Sequence, residues 1–304
     1  MTAGLRKTAA LFALAVMFTG CSAPTESGSE AMLPEAVGSM DIQYAEQFSV
    51  DYLADGSALA EVADGRRYLI IPDGGEAPEQ LPEDVTVISQ PENIYLASSS
   101  SMDLFSSLDC LGDILASSTP ESGWKLPEIA QAMADEDILY AGKYSSPDIE
   151  LLMSEGCDLA IENMMIYHSP KTAEQIESCG IPVFIERSSA ESHPLGRLEW
   201  VRLYGLMLGK SDEAEKFFSE KCSLLDEVTS RESTGCTAAF FYISSNGSAV
   251  VRKPGDYISK MIELAGGKYV FTAGDLNVDE NALSSANIQF EAFYALAKDA
   301  DCLI

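Results

Sequence analysis

Residues 91–114, PENIYLASSSSMDLFSSLDCLGDI, decide the fold. The stretch from 93 to 97 predicts a β-strand. After a serine-rich turn, apolar residues recur at spacings of three and four, which predicts one face of a helix: Met102, Phe105, Leu108, Leu111 and Leu115. Repeated units of strand followed by helix predict a parallel sheet that helices cover.

The same alternation continues toward the C-terminus. We expect strands at 138–141, 159–161 and 181–185, and a helix at 172–179 that Gly180 ends. Another helix is predicted after Ser146, with Ser146 as its N-cap and Pro147 at its first position. Residues 91–190 are therefore predicted to form an N-terminal α/β lobe.

The flanking regions follow different patterns. Residues 41–90 contain short β-rich runs that end at Asp-Gly turn signals, which predicts a β-hairpin preface. Residues 191–232 predict a connecting helix, nearly continuous except for a break near Gly209. Residues 233–304 resume the βα alternation as a C-terminal α/β lobe, with strands at 238–243 and from 301 and helices at 257–264 and 290–298.

The chain is strongly acidic. It has 304 residues with 48 Asp plus Glu against 19 Lys plus Arg, a formal charge of −29. Nucleic-acid binding normally requires a basic surface that neutralises phosphates, so a nucleic-acid partner is excluded. A polybasic membrane-binding patch is excluded for the same reason.

The first 20 residues have the pattern of a lipoprotein signal peptide. Arg6 and Lys7 precede an uncharged apolar run at 9–18, which is too short to span a bilayer as a helix. Phe18-Thr19-Gly20-Cys21 resembles a bacterial lipobox, which implies lipidation of Cys21 and anchoring to the outer face of a membrane. The alternative is an ordinary secretory signal with a chance cysteine. Residues 21–40 then predict a flexible tether.

Four segments carry a family resemblance. SSPDIELLMSEGCDLAI (145–161), ESHPLGRLEWVRLYGLMLGK (191–210) and YISKMIELAGGKYVF (257–271), together with 91–114, are similar to substrate-binding proteins of ABC importers for iron complexes, haem and cobalamin. The resemblance implies two Rossmann-like lobes with parallel sheets joined by a long helix. It implies a monomeric, exported binding protein that delivers a metal chelate to an ABC permease and its ATPase.

Within that family, the second lobe extends beyond the strand that begins here at Asp301. The C-terminal lobe is therefore expected to be incomplete, with an uncovered strand edge. A nonfunctional truncated fragment is one alternative that this leaves open.

The resemblance also assigns one glutamate on each lobe to contact with permease arginines. Glu150 and Glu291 occupy these positions, each near the start of a predicted helix. Paired charges of this kind set the docking register. The competing interpretation is that each carboxylate only complements its helix dipole.

The ligand is expected between the lobes, at loops that follow the carboxyl ends of strands. The candidate ligand-binding residues supply hydroxyl, aromatic, thioether or cationic groups: Ser100, Tyr144, Met164, Tyr167, His168, Arg187 and Arg252. A haem ligand would require Tyr167 or His168 to coordinate the iron.

No resident cofactor, metal site or catalytic residue is predicted. The two histidines are too few for a three-histidine metal site, and the seven cysteines lack zinc-site spacing. The motifs HExxH, GxGxxG and GxSxG are absent from the sequence. An extracytoplasmic hydrolase or chelatase on a similar two-lobe scaffold is the alternative function.

Overall fold

The structure is a computed structural model, and it describes residues 33–304. The predictions of a signal peptide at residues 1–20 and of lipidation at Cys21 lie outside the described residues. Within residues 33–304, no helix combines the length and the apolar character that a membrane span requires.

A five-stranded sheet begins the described chain, with its strands arranged in sequence order. They are β1 (Ala36–Ser39), β2 (Phe48–Leu53), β3 (Ala58–Val62), β4 (Arg67–Ile71) and β5 (Val85–Ser89). Neighbouring strands are antiparallel, except that β4 and β5 are parallel. Gly56 and Gly65 lie in the turns between β2 and β3 and between β3 and β4, each at φ +88°, a conformation that glycine adopts without a steric cost.

This sheet differs from the predicted β-hairpin preface at 41–90. It has five strands, and it begins at Ala36, inside the range predicted to be a flexible tether. All four residues of β1 are exposed, so β1 is held by backbone pairing to β2 rather than by burial of side chains. An exposed strand has no hydrophobic alternation from which to predict it.

The N-terminal lobe contains a five-stranded, fully parallel sheet in the order β12-β11-β6-β7-β8. Its strands and helices occur in the order β6 (Ile94–Leu96), α1 (Met102–Ser107), β7 (Ile114–Ser117), α2 (Pro127–Ala134), β8 (Leu139–Tyr140), β9 (Gly142–Lys143), β10 (Ser146–Pro147), α3 (Ile149–Ser154), β11 (Leu159–Asn163), α4 (Pro170–Ser178) and β12 (Val183–Glu186). The α/β class with a parallel sheet is confirmed.

Two local predictions in this lobe are wrong. The predicted helix from Met102 to Leu115 ends at Ser107, because Asp109 takes a left-handed conformation (φ +58°) and Leu115 belongs to β7. The N-cap of α3 is Asp148 rather than Ser146, since the Asp148 carboxylate accepts a hydrogen bond from Leu151 N at 3.0 Å. Ser146 instead pairs with Lys143 in a short hairpin.

Both faces of the lobe's sheet are covered, as parallel sheets require. Ile161 and Phe184 belong to a core that includes residues of α1 and of the helix starting at Pro194. Tyr95 and Val183 point to the other face and belong to a second core with residues of α3 and α4. Strand residues therefore alternate between two apolar layers.

The connecting region is a helical hairpin rather than the predicted long helix of 191–232. Helices α5 (Pro194–Met207) and α6 (Ser211–Thr229) are joined at Gly209, whose φ is +66°. The Lys210 N–H donates to the Gly205 carbonyl at 2.7 Å, the bond that closes a Schellman motif. Arg202 Nε lies 2.8 Å from Glu215 Oε2, so α6 returns antiparallel along α5.

Two buried glutamates attach the N-terminal sheet to this hairpin. Glu199, which is fully buried in α5, accepts hydrogen bonds from the backbone N–H groups of residues 43–45 at 2.7–2.9 Å. Glu191 accepts from those of Glu46 and Gln47, at 2.8 and 3.0 Å. Five successive backbone donors are thereby satisfied by two carboxylates.

The C-terminal lobe contains β13 (Thr237–Ala239), β14 (Phe241–Ile243), β15 (Ala249–Arg252), α7 (Tyr257–Leu264), β16 (Lys268–Tyr269), α8 (Ala273–Leu276), β17 (Ser285–Ile288), α9 (Phe290–Ala297) and β18 (Cys302–Leu303). The predicted single strand at 238–243 is interrupted, and its halves enter different sheets. One sheet, β16-β13-β18, is parallel, whereas the other, β14-β15-β17, is antiparallel. Leu303 and Ile304 are 61% and 55% exposed.

Candidate ligand-binding cleft

A cavity of about 530 Å³ lies between the two lobes and the helical hairpin. Its size falls within the range of about 300–1000 Å³ that is typical of small-molecule sites. The N-terminal lobe contributes Ser100, Asp103, Leu104 and Ser188; α5 contributes Pro194, Leu195, Arg197 and Leu198; and α7 contributes Tyr257 and Met261. We call this cavity the cleft.

The N-terminal wall of the cleft follows the carboxyl ends of β6 and β12, where open α/β sheets place ligands. Ser98 Oγ donates to Glu186 Oε2 at 2.8 Å, and the Ser188 N–H donates to Glu186 Oε1 at 2.6 Å. Burial raises the pKa of Glu186, and these hydrogen bonds oppose that rise. The buried carboxylate thus joins the two loops that present Ser100 and Ser188.

Arg197 is the cation of the cleft. Its Nη2 donates to the Ser189 carbonyl at 2.6 Å, and its guanidinium carbon lies 3.7 Å from the centre of the Tyr257 ring. Burial lowers the pKa of Arg197, and within residues 33–304 no carboxylate lies within 4.0 Å of its nitrogens. Its stacking on Tyr257 joins α5 to the C-terminal lobe across the cleft.

Of the residues predicted to bind ligand, the structure places Ser100 on the cleft wall. Arg252 is near Arg197, since its charge contributes to lowering the pKa of Arg197. Arg252 lies 3.7 Å from Asp256, a buried carboxylate that also caps α7 through Ile258 N. These two predicted residues therefore belong to the cleft or to its surroundings.

Tyr167 and Arg187 contact the N-terminal sheet instead. The Tyr167 hydroxyl donates to Asp64 Oδ2 at 2.6 Å and accepts from Arg187 Nη1 at 3.0 Å. Arg187 also donates to the Gln47 side chain at 3.1 Å. A hydroxyl that is already engaged by two partners outside the cleft lining is poorly placed to coordinate haem iron.

The other three candidates also lie outside the cleft lining. Tyr144 packs against the core that contains Leu152 and Ile176. Met164 and His168 belong to a 3-10 turn after β11, where Met164 is half-buried and His168 is exposed. Within the part of the chain that is described, no group of three or more His, Cys, Asp or Glu side chains is arranged to hold a metal ion.

Sequence reasoning missed Arg197, Tyr257 and Met261. Tyr257 and Met261 are four residues apart on α7 and so share one helix face, a signal that is present in the sequence. The sequence contains no comparable signal for Arg197, because the position of Arg197 in the cleft depends on how the C-terminal lobe packs against α5.

The two predicted docking glutamates are both exposed and both lie in a first helical turn. Glu150 is in α3 and Glu291 is in α9. Their contact with a permease stays a prediction.

Comparison with solved structures shows that the chain shares its fold with periplasmic binding proteins. The periplasmic haem-binding protein HutB of Vibrio cholerae matches with a TM-score of 0.56 at 15% identity, over 69% of this chain and 74% of that one. A periplasmic binding protein of Veillonella parvula matches with a TM-score of 0.57 at 17% identity, over 75% and 74%. The iron-uptake substrate-binding protein PiuA of Streptococcus pneumoniae gives 0.55 at 15%, over 70% of each chain.

These likenesses establish the fold, and they confirm the resemblance that was inferred from the sequence. An uncharacterized lipoprotein of Methanocaldococcus jannaschii is 26% identical over 240 residues. That match covers 74% of this chain, which spans 55% of the relative's length. No protein-family model matches the chain.

Proposed function

We propose that this chain is a lipid-anchored substrate-binding protein that captures a metal chelate in the cleft and delivers it to an ABC permease. The chelate is an iron complex, such as a siderophore or haem, or a cobalamin. The protein binds its ligand as a monomer and does not alter it chemically.

The observation that carries the proposal is Arg197 in the cleft. Burial of a guanidinium is costly, and the charges of Asp256 and Glu186 only partly oppose its effect on the pKa of Arg197. An anionic or oxygen-rich ligand in the cleft would offset the remaining cost. The chain carries a net charge of −29, so a cation on the cleft wall offers an anionic ligand a local attraction that the overall charge of the protein does not. Leu104, Leu198, Tyr257 and Met261 supply the apolar contact that the organic part of a chelate would need.

The fold supports the same proposal. Structural neighbours include a periplasmic haem-binding protein and an iron-uptake ABC transporter substrate-binding protein. Export and lipid anchoring rest on the signal sequence, on Cys21 and on the description of the archaeal relative as a lipoprotein. The chain would then face the outside of the membrane that carries the permease.

A thermal-shift and absorbance screen with haem, cobalamin and ferric siderophores tests the proposal. A ligand at a concentration 100-fold above its Kd stabilises the folded state by about 2.7 kcal/mol, which shifts the midpoint by several degrees. We expect at least one chelate to do this and to be recovered unchanged by mass spectrometry. If none of the three classes shifts the midpoint, binding-protein function is contradicted; if the chelate is cleaved or loses its metal, a hydrolase or chelatase is indicated.

A further inference from the structure

A second, wholly apolar cavity lies beside the cleft, between α5, α6 and α7. It measures about 220 Å³, and we call it the crevice. Its lining is Leu195 and Pro194 of α5, Leu225 and Val228 of α6, and Met261, Leu264 and Ala265 at the end of α7. Every one of these side chains is apolar, so the crevice offers no hydrogen bond to a polar ligand.

The crevice adjoins the cleft. Pro194, Leu195 and Met261 line both cavities. On α7, Tyr257 and Met261 face the cleft, whereas Met261, Leu264 and Ala265 face the crevice. One helical stripe therefore leads from the Arg197–Tyr257 stack into the apolar space.

The crevice is open rather than filled by packing. Met261 is 48% exposed and Val228 is 37% exposed, although both lie where three helices meet. At about 220 Å³, the space is smaller than the roughly 300–1000 Å³ of sites that enclose a complete small-molecule ligand. It is large enough for a short chain of carbon atoms that extends from a ligand already bound in the cleft.

We propose that the crevice receives an apolar arm, an acyl or aryl chain, of a ligand whose chelating head occupies the cleft. This inference rests on the proposed function and narrows the ligand to an amphiphilic chelate. The head would meet Arg197, Ser100 and Ser188, and the arm would pass Met261 to lie against Leu225 and Val228.

Two ferric complexes that differ only in the arm test this inference by calorimetric titration. Ferric acetohydroxamate has a methyl arm, and ferric hexanohydroxamate adds four methylenes to each arm. Because each buried methylene is worth up to about a fourfold gain in affinity, we expect the hexanoyl complex to bind at least about tenfold more tightly.

Ala265→Leu adds a larger side chain to the lining of the crevice. It should abolish that preference while leaving the affinity for the acetyl complex within about twofold. Ala134→Leu makes the same change at an exposed position of α2 in the other lobe, and it should retain the preference. Equal affinities for both complexes in the unmodified chain would overturn the inference and leave the proposed function standing. A preference that survives Ala265→Leu would also overturn it, since the arm would then lie elsewhere.

A second measurement separates failure of the inference from failure of the proposed function. Methyl NMR of the full chain, with the Met261 signal assigned through Met261→Leu, reports on free hexanohydroxamic acid in the crevice. A saturable shift of that signal without binding of either ferric complex would support the apolar site and count against chelate binding. No shift and no complex binding would overturn both.

Discussion

Glu162 on β11 is a buried carboxylate whose two oxygens have no hydrogen-bond partner in the described chain. It is 0% exposed, and burial raises its pKa to about 8. The hydroxyl of Tyr95 on the neighbouring strand β6 is likewise buried without a partner, and the charge of Glu162 contributes to raising the pKa of Tyr95. Glu162 is therefore predominantly protonated in the folded protein at neutral pH.

This predicts an unusual dependence of stability on pH. The unfolded chain releases the Glu162 proton near its ordinary pKa of about 4.5, whereas the folded chain keeps it until about pH 8. The contribution of Glu162 to the free energy of unfolding therefore falls as pH rises from about 4.5 to 8 and is constant above that. We expect Glu162→Gln to remove this decline and to be more stable than the unmodified protein at pH 8, by about 2 kcal/mol or more.

Urea denaturation at pH 5, 7 and 8 measures the effect. Glu174→Gln, at an exposed position of α4, is the matched control and should leave the pH dependence unchanged. A Glu162→Gln variant whose stability follows the same pH curve as the unmodified protein would contradict the assignment.

At the scale of single elements, the carboxylate of Glu199 in α5 should be essential for holding the 43–45 segment. In the unmodified protein the Glu199 carboxylate accepts from three backbone N–H groups and from the Arg202 guanidinium, which lies 3.0 Å from Glu199 Oε1. Glu199→Ala removes this acceptor from all four donors. Removing one partner of a buried charged pair typically costs about 3–5 kcal/mol. We expect a loss of that order in denaturant unfolding, with faster amide hydrogen exchange at residues 43–45.

Glu220→Ala, at an exposed position of α6, serves as the control and should change stability by less than about 0.5 kcal/mol. If the amides of 43–45 remained protected in Glu199→Ala, the segment would be held by something other than this carboxylate.

Sequence periodicity predicted elements well where a helix has one apolar face and clear ends. The helix predicted at 257–264 coincides with α7, and the one at 290–298 differs from α9 by one residue. Periodicity failed near Leu115, because an apolar residue at helical spacing can equally belong to a buried strand. It also missed β1, whose exposed residues are ordered by backbone pairing alone.

The hairpin and the cleft depend on information that no local pattern carries. The sequence predicted a break near Gly209, but it did not predict that α6 returns along α5, which depends on contacts such as Arg202 with Glu215. Tyr167 and Arg187 were predicted to bind ligand because of their side-chain chemistry. In the structure, both side chains form hydrogen bonds with residues of the N-terminal sheet region instead. Ser100 was predicted to line the cleft because it follows the carboxyl end of a strand. That prediction rests on where open α/β sheets place ligands, not on the chemistry of the side chain.

For the whole molecule, Glu150 and Glu291 carry the predicted contact with the permease. The double variant Glu150→Arg with Glu291→Arg would place like charges opposite permease arginines, which costs several kcal/mol. In proteoliposomes with the cognate permease and ATPase, we expect stimulation of ATP hydrolysis to fall by about tenfold or more. The affinity for ligand in solution should not change.

The control for that experiment is Glu128→Arg with Glu213→Arg, which reverses two exposed first-turn glutamates on α2 and α6. These positions experience the same helix-dipole effect as the docking pair. Equal losses in both double variants would attribute the effect to general charge rather than to docking.

The most direct test of the central claim is an equilibrium titration of Arg197→Gln with the tightest ligand from the haem, cobalamin and siderophore screen. Arg231→Gln is the control, since Arg231 is exposed and its ion-pair partner among residues 33–304 is Glu227 of α6, at 2.8 Å. A hydrogen bond to a charged group contributes about 1.5–3 kcal/mol, so we predict at least about a tenfold rise in Kd for Arg197→Gln and none for Arg231→Gln. An unchanged Kd in a folded Arg197→Gln variant would contradict binding in the cleft between the lobes.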